Sequence, residues 1–267
     1  MRNALHAAAL ALIACASAST APAQQSVLQR GYDSGVTGAN LSETILNTAN
    51  VNPNTFGLVF NLPVDDKIYA QPLYVPQVTI SNKGIHNVVY VATMSDSLYA
   101  FDADAGGSPL WSVNVATSVG AVPVSIAKYA FEGNTNITGN LGILSTPVID
   151  PSTNIMYLVA CTLENGTMVY RLHGVNIADG TEPYPNVVIR GSYKGVAFDA
   201  IHQTQRVSLT LSGNEVVFGF GAVEAEDDDE NGYSGWVMAY DKRSLAQSGS
   251  FASVTTGSTL GAGVWQS

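Results

Sequence analysis

Val89-Tyr90-Val91-Ala92-Thr93, then Leu98-Tyr99-Ala100-Phe101-Asp102-Ala103-Asp104 after residues 94–97, then Pro109-Leu110-Trp111, is the stretch that decides the fold of this chain. Two apolar runs rich in Val, Tyr, Leu and Phe, joined by a few polar residues, read as neighbouring strands rather than helix. The second run leaves through Asp102-Ala103-Asp104 into Gly106-Gly107. Glycine accepts the positive φ that tight turns demand.

Working outward, Gln71-Pro72-Leu73-Tyr74 precedes this stretch and completes four short strands. The same plan returns as Thr146-Pro147-Val148-Ile149-Asp150, the run 155–161, Met168-Val169-Tyr170-Arg171-Leu172-His173-Gly174-Val175 and Asp179-Gly180-Thr181-Glu182-Pro183. It returns again as Val207-Ser208-Leu209-Thr210-Leu211, the run 215–220, Gly235-Trp236-Val237-Met238-Ala239-Tyr240-Asp241 and the run 245–251. Four strands in meander order make one propeller blade. Blades stack face to face, so their middle strands are buried on both sides and lose the apolar–polar alternation of a half-exposed sheet. Residues 88–92, 155–160 and 216–220 are such unbroken runs. The sequence therefore predicts an all-β chain, a β-propeller of four-stranded antiparallel blades forming a partial ring of about three blades plus flanking strands.

From Tyr90 to Tyr157 the repeat exceeds the roughly 40–50 residues of common blades. The excess, residues 116–140, reads as a long loop at one end of the ring. Residues 55–64 read as an entry strand, and Gly263-Val264-Trp265-Gln266-Ser267 as the first strand of a further blade. Three blades do not close a ring, since propellers usually have 4–8. The expectation is a partial sequence, or a chain that assembles with itself to cover its open edge.

The stretch from Val89 to Trp111 resembles the pyrroloquinoline-quinone-type repeat, a superfamily that includes quinoprotein alcohol dehydrogenases and the propeller of the outer-membrane barrel-assembly lipoprotein. Ser145-Thr146-Pro147-Val148-Ile149-Asp150 and Tyr240-Asp241 with Leu245 look like weaker copies. Together they cover residues 55–267, here taken as a partial propeller of this type. The resemblance implies a ring of seven or eight blades but no chemistry. Members that oxidise alcohols carry adjacent cysteines beside the quinone and Glu, Asn and Asp around a calcium. This chain has no Cys-Cys pair, and pyrroloquinoline quinone is not supported by the residues present.

Upstream, Met1-Arg2-Asn3, an apolar segment from Ala4 to Ala14 and Ala21-Pro22-Ala23 follow the order of a secretory signal peptide, residues 1–23. Leu12-Ile13-Ala14-Cys15 also resembles a lipobox, so lipidation of Cys15 is the alternative to cleavage after Ala23. Export to the periplasm or the extracellular space is expected, or anchorage as an envelope lipoprotein. The apolar segment falls short of the roughly 20 residues of a spanning helix. Residues 24–54 form a lead-in, with a short helix expected over 42–50, Ser42 as its N-cap and Leu46 turned inward.

The chain carries 21 acidic and 11 basic residues, a formal charge of −10. That opposes non-specific binding to nucleic acid or to anionic lipid. Hydrophobic residues make up 46% and charged residues 12%, enough apolar material for a packed core. Past the leader, Cys161 is the one cysteine, and its apolar run reads as a site for a buried thiol.

Few residues suggest chemistry. Asp227-x-Asp229-x-Asn231-Gly232, inside the acidic stretch 224–232, matches the first half of a calcium loop. Gly235 and Met238 stand where its later ligands belong, and a solvated acidic hairpin is the alternative. His86, His173 and His202 lack metal spacing. His173, alternating with Arg171, suits a packing or rim position; His202 lies near Asp199 without a nucleophile motif. Asn40-x-Ser42, Asn136-x-Thr138 and Asn165-x-Thr167 fit glycosylation sequons by chance beside a bacterial-type leader. No catalytic residue can be assigned. The leading expectation is an exported binding or scaffold module that presents loops to a protein or glycan. The rivals are a quinone-dependent dehydrogenase of alcohols or sugars and an envelope lipoprotein scaffold.

Overall fold

A computed structural model describes residues 25–127, 137–222, 234–253 and 264. The first blade is β1 (Leu73–Ile80), β2 (Gly84–Ala92), β3 (Ser97–Asp102) and β4 (Trp111–Asn114), hydrogen-bonded in that order. Tyr90 stands opposite Leu73 on one side and Ala100 on the other.

A short helix α1 (Val115–Ser118) and strands β5 (Val122–Ser125) and β6 (Asn140–Leu141) follow. The second blade is β7 (Val148–Asp150), β8 (Ile155–Glu164), β9 (Thr167–Asn176) and β10 (Val187–Val188). After it come β11 (Ser192–Tyr193), β12 (Val196–Ala197), a 3-10 turn over Ala200–His202 and β13 (Gln203–Thr204). The third blade is β14 (Thr210–Ser212), β15 (Glu215–Ala222), β16 (Trp236–Asp241) and β17 (Gln247–Ala252). All pairings are antiparallel. The chain is all-β and builds consecutive blades of a partial β-propeller.

The split of the first strand in blades two and three was not read from sequence. β8 is longer than β7, which pairs with Ile155 to Tyr157; β5 pairs with Thr162 and Leu163 on the same edge. In blade three, β14 takes residues 215–217 of β15 and β13 takes residues 221–222. An overhanging strand would leave backbone groups unpaired, and a second short strand satisfies them. Residues 116–140, expected as loop, thus supply part of a helical turn and two strands.

The core explains the unbroken apolar run of β8, which is buried from Ile155 to Thr162. Met156, Leu158 and Ala160 pack with Val88, Tyr90 and Leu98 of blade one. Tyr157, Val159 and Cys161 join Phe218, Phe220 and Trp236 of blade three. Each large side chain so buried stabilises by about 1.5–3 kcal/mol, which is why the run from Ile155 to Cys161 is apolar on both faces.

Equivalent aromatic residues tie the blades together. The Tyr90 hydroxyl donates to the Ile177 carbonyl of blade two at 3.0 Å, and the Trp111 indole N–H donates to that same oxygen at 3.0 Å. Tyr157, at the same place in β8, donates to Lys242 O of blade three at 2.6 Å. In β15 the register puts Val217 at this place, so blade three has no such hydroxyl there; Phe218, one residue on and on the other face, stacks on Tyr240 with ring centroids 5.6 Å apart. Tyr157→Phe is expected to cost about 1 kcal/mol, the usual loss for a buried hydrogen bond. Tyr90→Phe is expected to cost less, because Ile177 O keeps the indole. Urea unfolding midpoints check this, and equal losses would contradict it.

Two expectations for the residues before β1 fail. Residues 42–50 form turns and bends, not a helix. Asn40 Oδ1 accepts from Ser42 N, and the Glu43 carboxylate accepts from Ile45 N and Leu46 N. Such local bonds compete with the helical ladder, and Leu46 is 48% exposed, so no apolar face rewards a helix. Residues 55–64 join no ladder. Pro63 has no N–H to offer a neighbouring strand. Phe60 instead lies over Gly106, where a Cβ would come within 2.8 Å of its ring.

Earlier in the lead-in, a strap crosses the inner strands. Val27 and Tyr74 exchange backbone hydrogen bonds of 2.8 and 3.0 Å, and Ile149 N donates to Leu28 O at 2.8 Å. Gly31 N reaches Gln71 Oε1 at 3.1 Å. No helix among the described residues is long and apolar enough to cross a membrane.

Candidate functional site

In a four-stranded meander the first and third turns share one end, and the second turn shares the other end with the passages between blades. Here the first turns are short, residues 81–83, 151–154 and 213–214. The passages between blades run through residues 115–147 and 189–209. Neighbouring blades keep these ends in register. Ser81 N donates to Ala178 O at the short-turn end, and Leu209 N donates to Thr146 O at the other. Long connections on a rigid scaffold are where binding residues concentrate.

Polar groups are buried at the same end. Thr93, Asp96, Ser97, Thr146, Gln203 and Gln205 are all buried. Gln71 N donates to Thr146 Oγ1 at 3.0 Å, Gln205 bonds Ser145, and Tyr170 donates to Gln203 O at 2.7 Å.

The turn joining β2 to β3 is the centre of this layer. Asp65, from the segment just before β1, accepts from Thr93 Oγ1 at 2.7 Å and Ser97 Oγ at 2.6 Å. Asp66 accepts from Ser95 Oγ at 2.8 Å and from Asn140 Nδ2, on β6, at 3.1 Å. Burial opposes the Asp66 charge, but these donors and Lys67 together hold its carboxyl below the usual range. Asn114 Nδ2, on β4, donates to Ser95 O at 2.7 Å, so three separate segments meet on one four-residue turn.

Asp96 sits in that turn at φ 60° and is 0% exposed. Neither of its carboxylate oxygens has a hydrogen-bond partner among the described residues. Burial pushes its carboxyl well above the ordinary value, and the nearby Asp65 charge adds to the shift. A buried carboxyl without a partner holds its proton rather than ionise. Gly142 closes over it: a Cβ there would lie 2.2 Å from Met94 O and 2.9 Å from Asp96 Oδ1. Cys161, wholly buried nearby, is also pushed up, by burial first and then by Asp96. A neutral acid of this kind can donate a hydrogen bond or surrender its proton to a group brought beside it.

A second polar cluster lies on blade two. Arg171 forms a fork with Glu164 at 2.5 and 2.8 Å. His173, 0% exposed, meets Glu182 at 3.1 Å, and Glu182 also accepts from Asn186 and Ser118. Burial opposes the Glu182 charge, but His173 and the other donors keep its carboxyl below the usual range. His173 therefore packs inside the sheet stack and not at the rim.

The remaining sequence candidates stay apart. His86 meets Asp102 at 2.6 Å near the short-turn end, and that hydrogen bond raises the His86 pKa. His202 faces Asp199 at 3.2 Å on the exposed 3-10 turn. Asp227, Asp229 and Asn231, and Cys15, lie outside the described residues. Asp65, Asp66 and Asp96 were missed in the sequence. The one available signal was an aspartate in a tight turn between two apolar strands.

No protein-family model matches the chain, and no curated protein matches it in sequence. Solved structures do. The quinohemoprotein alcohol dehydrogenase of Comamonas testosteroni is 18% identical, covering 86% of this chain and 27% of its own, with a TM-score of 0.49. Quinohemoprotein alcohol dehydrogenase ADHIIG from Pseudomonas putida HK5 is 18% identical over 72% of this chain and 22% of its own, with a TM-score of 0.43. A europium-containing methanol dehydrogenase is 15% identical over 68% and 24%, with a TM-score of 0.40. The chain spans about a quarter of the length of these structures.

A quinone with its metal ion needs a matching donor set. The sequence has no adjacent cysteines, and among the described residues no three His, Cys, Asp or Glu side chains converge as metal ligands.

Proposed function

We propose that this chain is part of an exported propeller that acts as a binding module, its ligand engaging the end that carries the passages between blades. The observation that supports this reading most is Asp96, an unpartnered carboxyl buried at that end beneath the meeting point of three segments. Asp65, at the exposed edge of the same turn, and the net charge of −10 favour a ligand rich in donors, a glycan or a basic protein surface.

Export rests on the leader. Signal cleavage after Ala23 leaves Gln24 as the first residue, whereas lipidation leaves a modified Cys15; the intact mass of the exported product separates the two.

The competing activity, oxidation of alcohols or sugars through a quinone, is tested directly. The chain is mixed with pyrroloquinoline quinone and calcium, followed by absorbance, then assayed for dye-linked oxidation across alcohols and sugars. The expected result is no stoichiometric uptake and no turnover. Uptake with turnover makes the protein an oxidoreductase and overturns the binding reading.

A further inference from the structure

A cavity of about 300 Å³ opens at the hub between the strap and the start of β14. Its lining combines one cation, Arg30, with the hydroxyl residues Ser34, Ser208 and Thr210 and the apolar residues Val36, Val207 and Leu209, the last packed into the core beneath. We infer that it binds a small monocarboxylate with a short apolar body, the carboxylate on Arg30 and the hydrocarbon against Val36 and Val207.

Four observations carry the assignment. Arg30 is half-buried and has no carboxylate partner among the described residues, although acidic residues outnumber basic ones 21 to 11. Arg171, also half-buried, shows what such a guanidinium does when an acid is in reach: it forks onto Glu164. The nearest acid in sequence, Asp33, is engaged by Gly35 N at 2.8 Å and by Thr37 N and Oγ1 at 3.3 and 2.5 Å. The Ser208 hydroxyl is buried and lacks a hydrogen-bond partner among the described residues. Val36, on the wall, is held at φ 52°, a conformation costly for a β-branched residue and found mainly where a surrounding structure or ligand site imposes it. The volume is at the small end for ligand pockets, and the planar guanidinium matches a carboxylate in two parallel hydrogen bonds. The cavity lies toward the same end as the Asp96 turn but is built from other residues, and the inference does not rest on the binding reading for Asp96.

The test uses sodium pentanoate as the probe, with n-pentanol and inorganic phosphate as controls, read by calorimetry and saturation-transfer NMR on the full chain. Pentanoate is expected to bind, and both controls to bind at least about tenfold more weakly, since neither offers both the charge and the apolar body. Arg30→Gln is expected to weaken pentanoate by about tenfold or more, and Arg206→Gln, an exposed neighbour, to leave it unchanged. Thr210→Trp fills the cavity from an exposed strand position and should abolish binding with Arg30 intact; it decides the matter if Arg30→Gln melts early. Failure of pentanoate to bind the unmodified chain, equal binding by Arg30→Gln or Thr210→Trp, or phosphate binding as tightly as pentanoate each overturns the assignment.

Discussion

Gly142→Ala is expected to lower the unfolding free energy by about 3 kcal/mol, the upper range for overpacking a tight site. The added methyl would sit 2.2 Å from Met94 O and 2.6 Å from Met94 C. Both are backbone atoms, so no side chain can swing aside. Either the β2–β3 turn or the strand entering blade two must move. Movement strains three hydrogen bonds that meet here: Ile143 N to Thr93 O, Met94 N to Lys67 O and Cys161 N to Gly142 O. Urea unfolding measures the loss. A change below about 1 kcal/mol would show that the contact between the blades is softer than drawn.

Asp96→Asn is expected to stabilise the protein at neutral pH. The folded carboxyl titrates well above 3.8, mainly through burial and then through Asp65. A carboxyl raised in the folded state favours folding fully only below its unfolded pKa, near 4. As pH rises from there the unfolded chain ionises while the folded site cannot. Stability then falls by about 1.4 kcal/mol per pH unit until the folded carboxyl itself titrates. Asparagine keeps the shape and removes the titration. The groups facing Asp96 that share its electrostatics, Asp65 and Cys161, are unchanged. Asp150 works the other way. Burial opposes its charge, but Lys242 at 2.8 Å and Ser152 hold it down to about 2. Its contribution is therefore present above pH 4, lost as pH falls toward 2, and common to both proteins. The difference between wild type and Asp96→Asn should grow from pH 4.5 to pH 7.5 in urea midpoints. Parallel profiles would mean that Asp96 finds a cation or a donor.

The blades were legible because their signal is local and repeated. Residues 88–92, 155–160 and 216–220 are apolar on both faces, and only a strand between two blades needs that. What escaped depends on partners far away in sequence. β5 becomes a strand because β8 overhangs β7, a fact of lengths in space. The turns over residues 42–50 arise because Asn40 and Glu43 claim amides a helix would use. Asp96 reads in sequence as an ordinary polar turn residue. Its burial comes from Gly142, brought over it by the passage between blades. Cys161, by contrast, was readable as buried from its own run, and it is.

The strap has a consequence for the order in which the molecule is made. Val27 and Leu28 are seated on Tyr74 and Ile149, and Arg30 and Val36 reach residues 207–210. Contacts between segments so far apart in sequence are slow to form, since the intervening loop must close first. On a chain emerging N-terminus first, the strap appears earliest yet finishes last, after the third blade has its first strand. Until then the inner edges of β1 and β7 are unprotected templates for stray strand pairing.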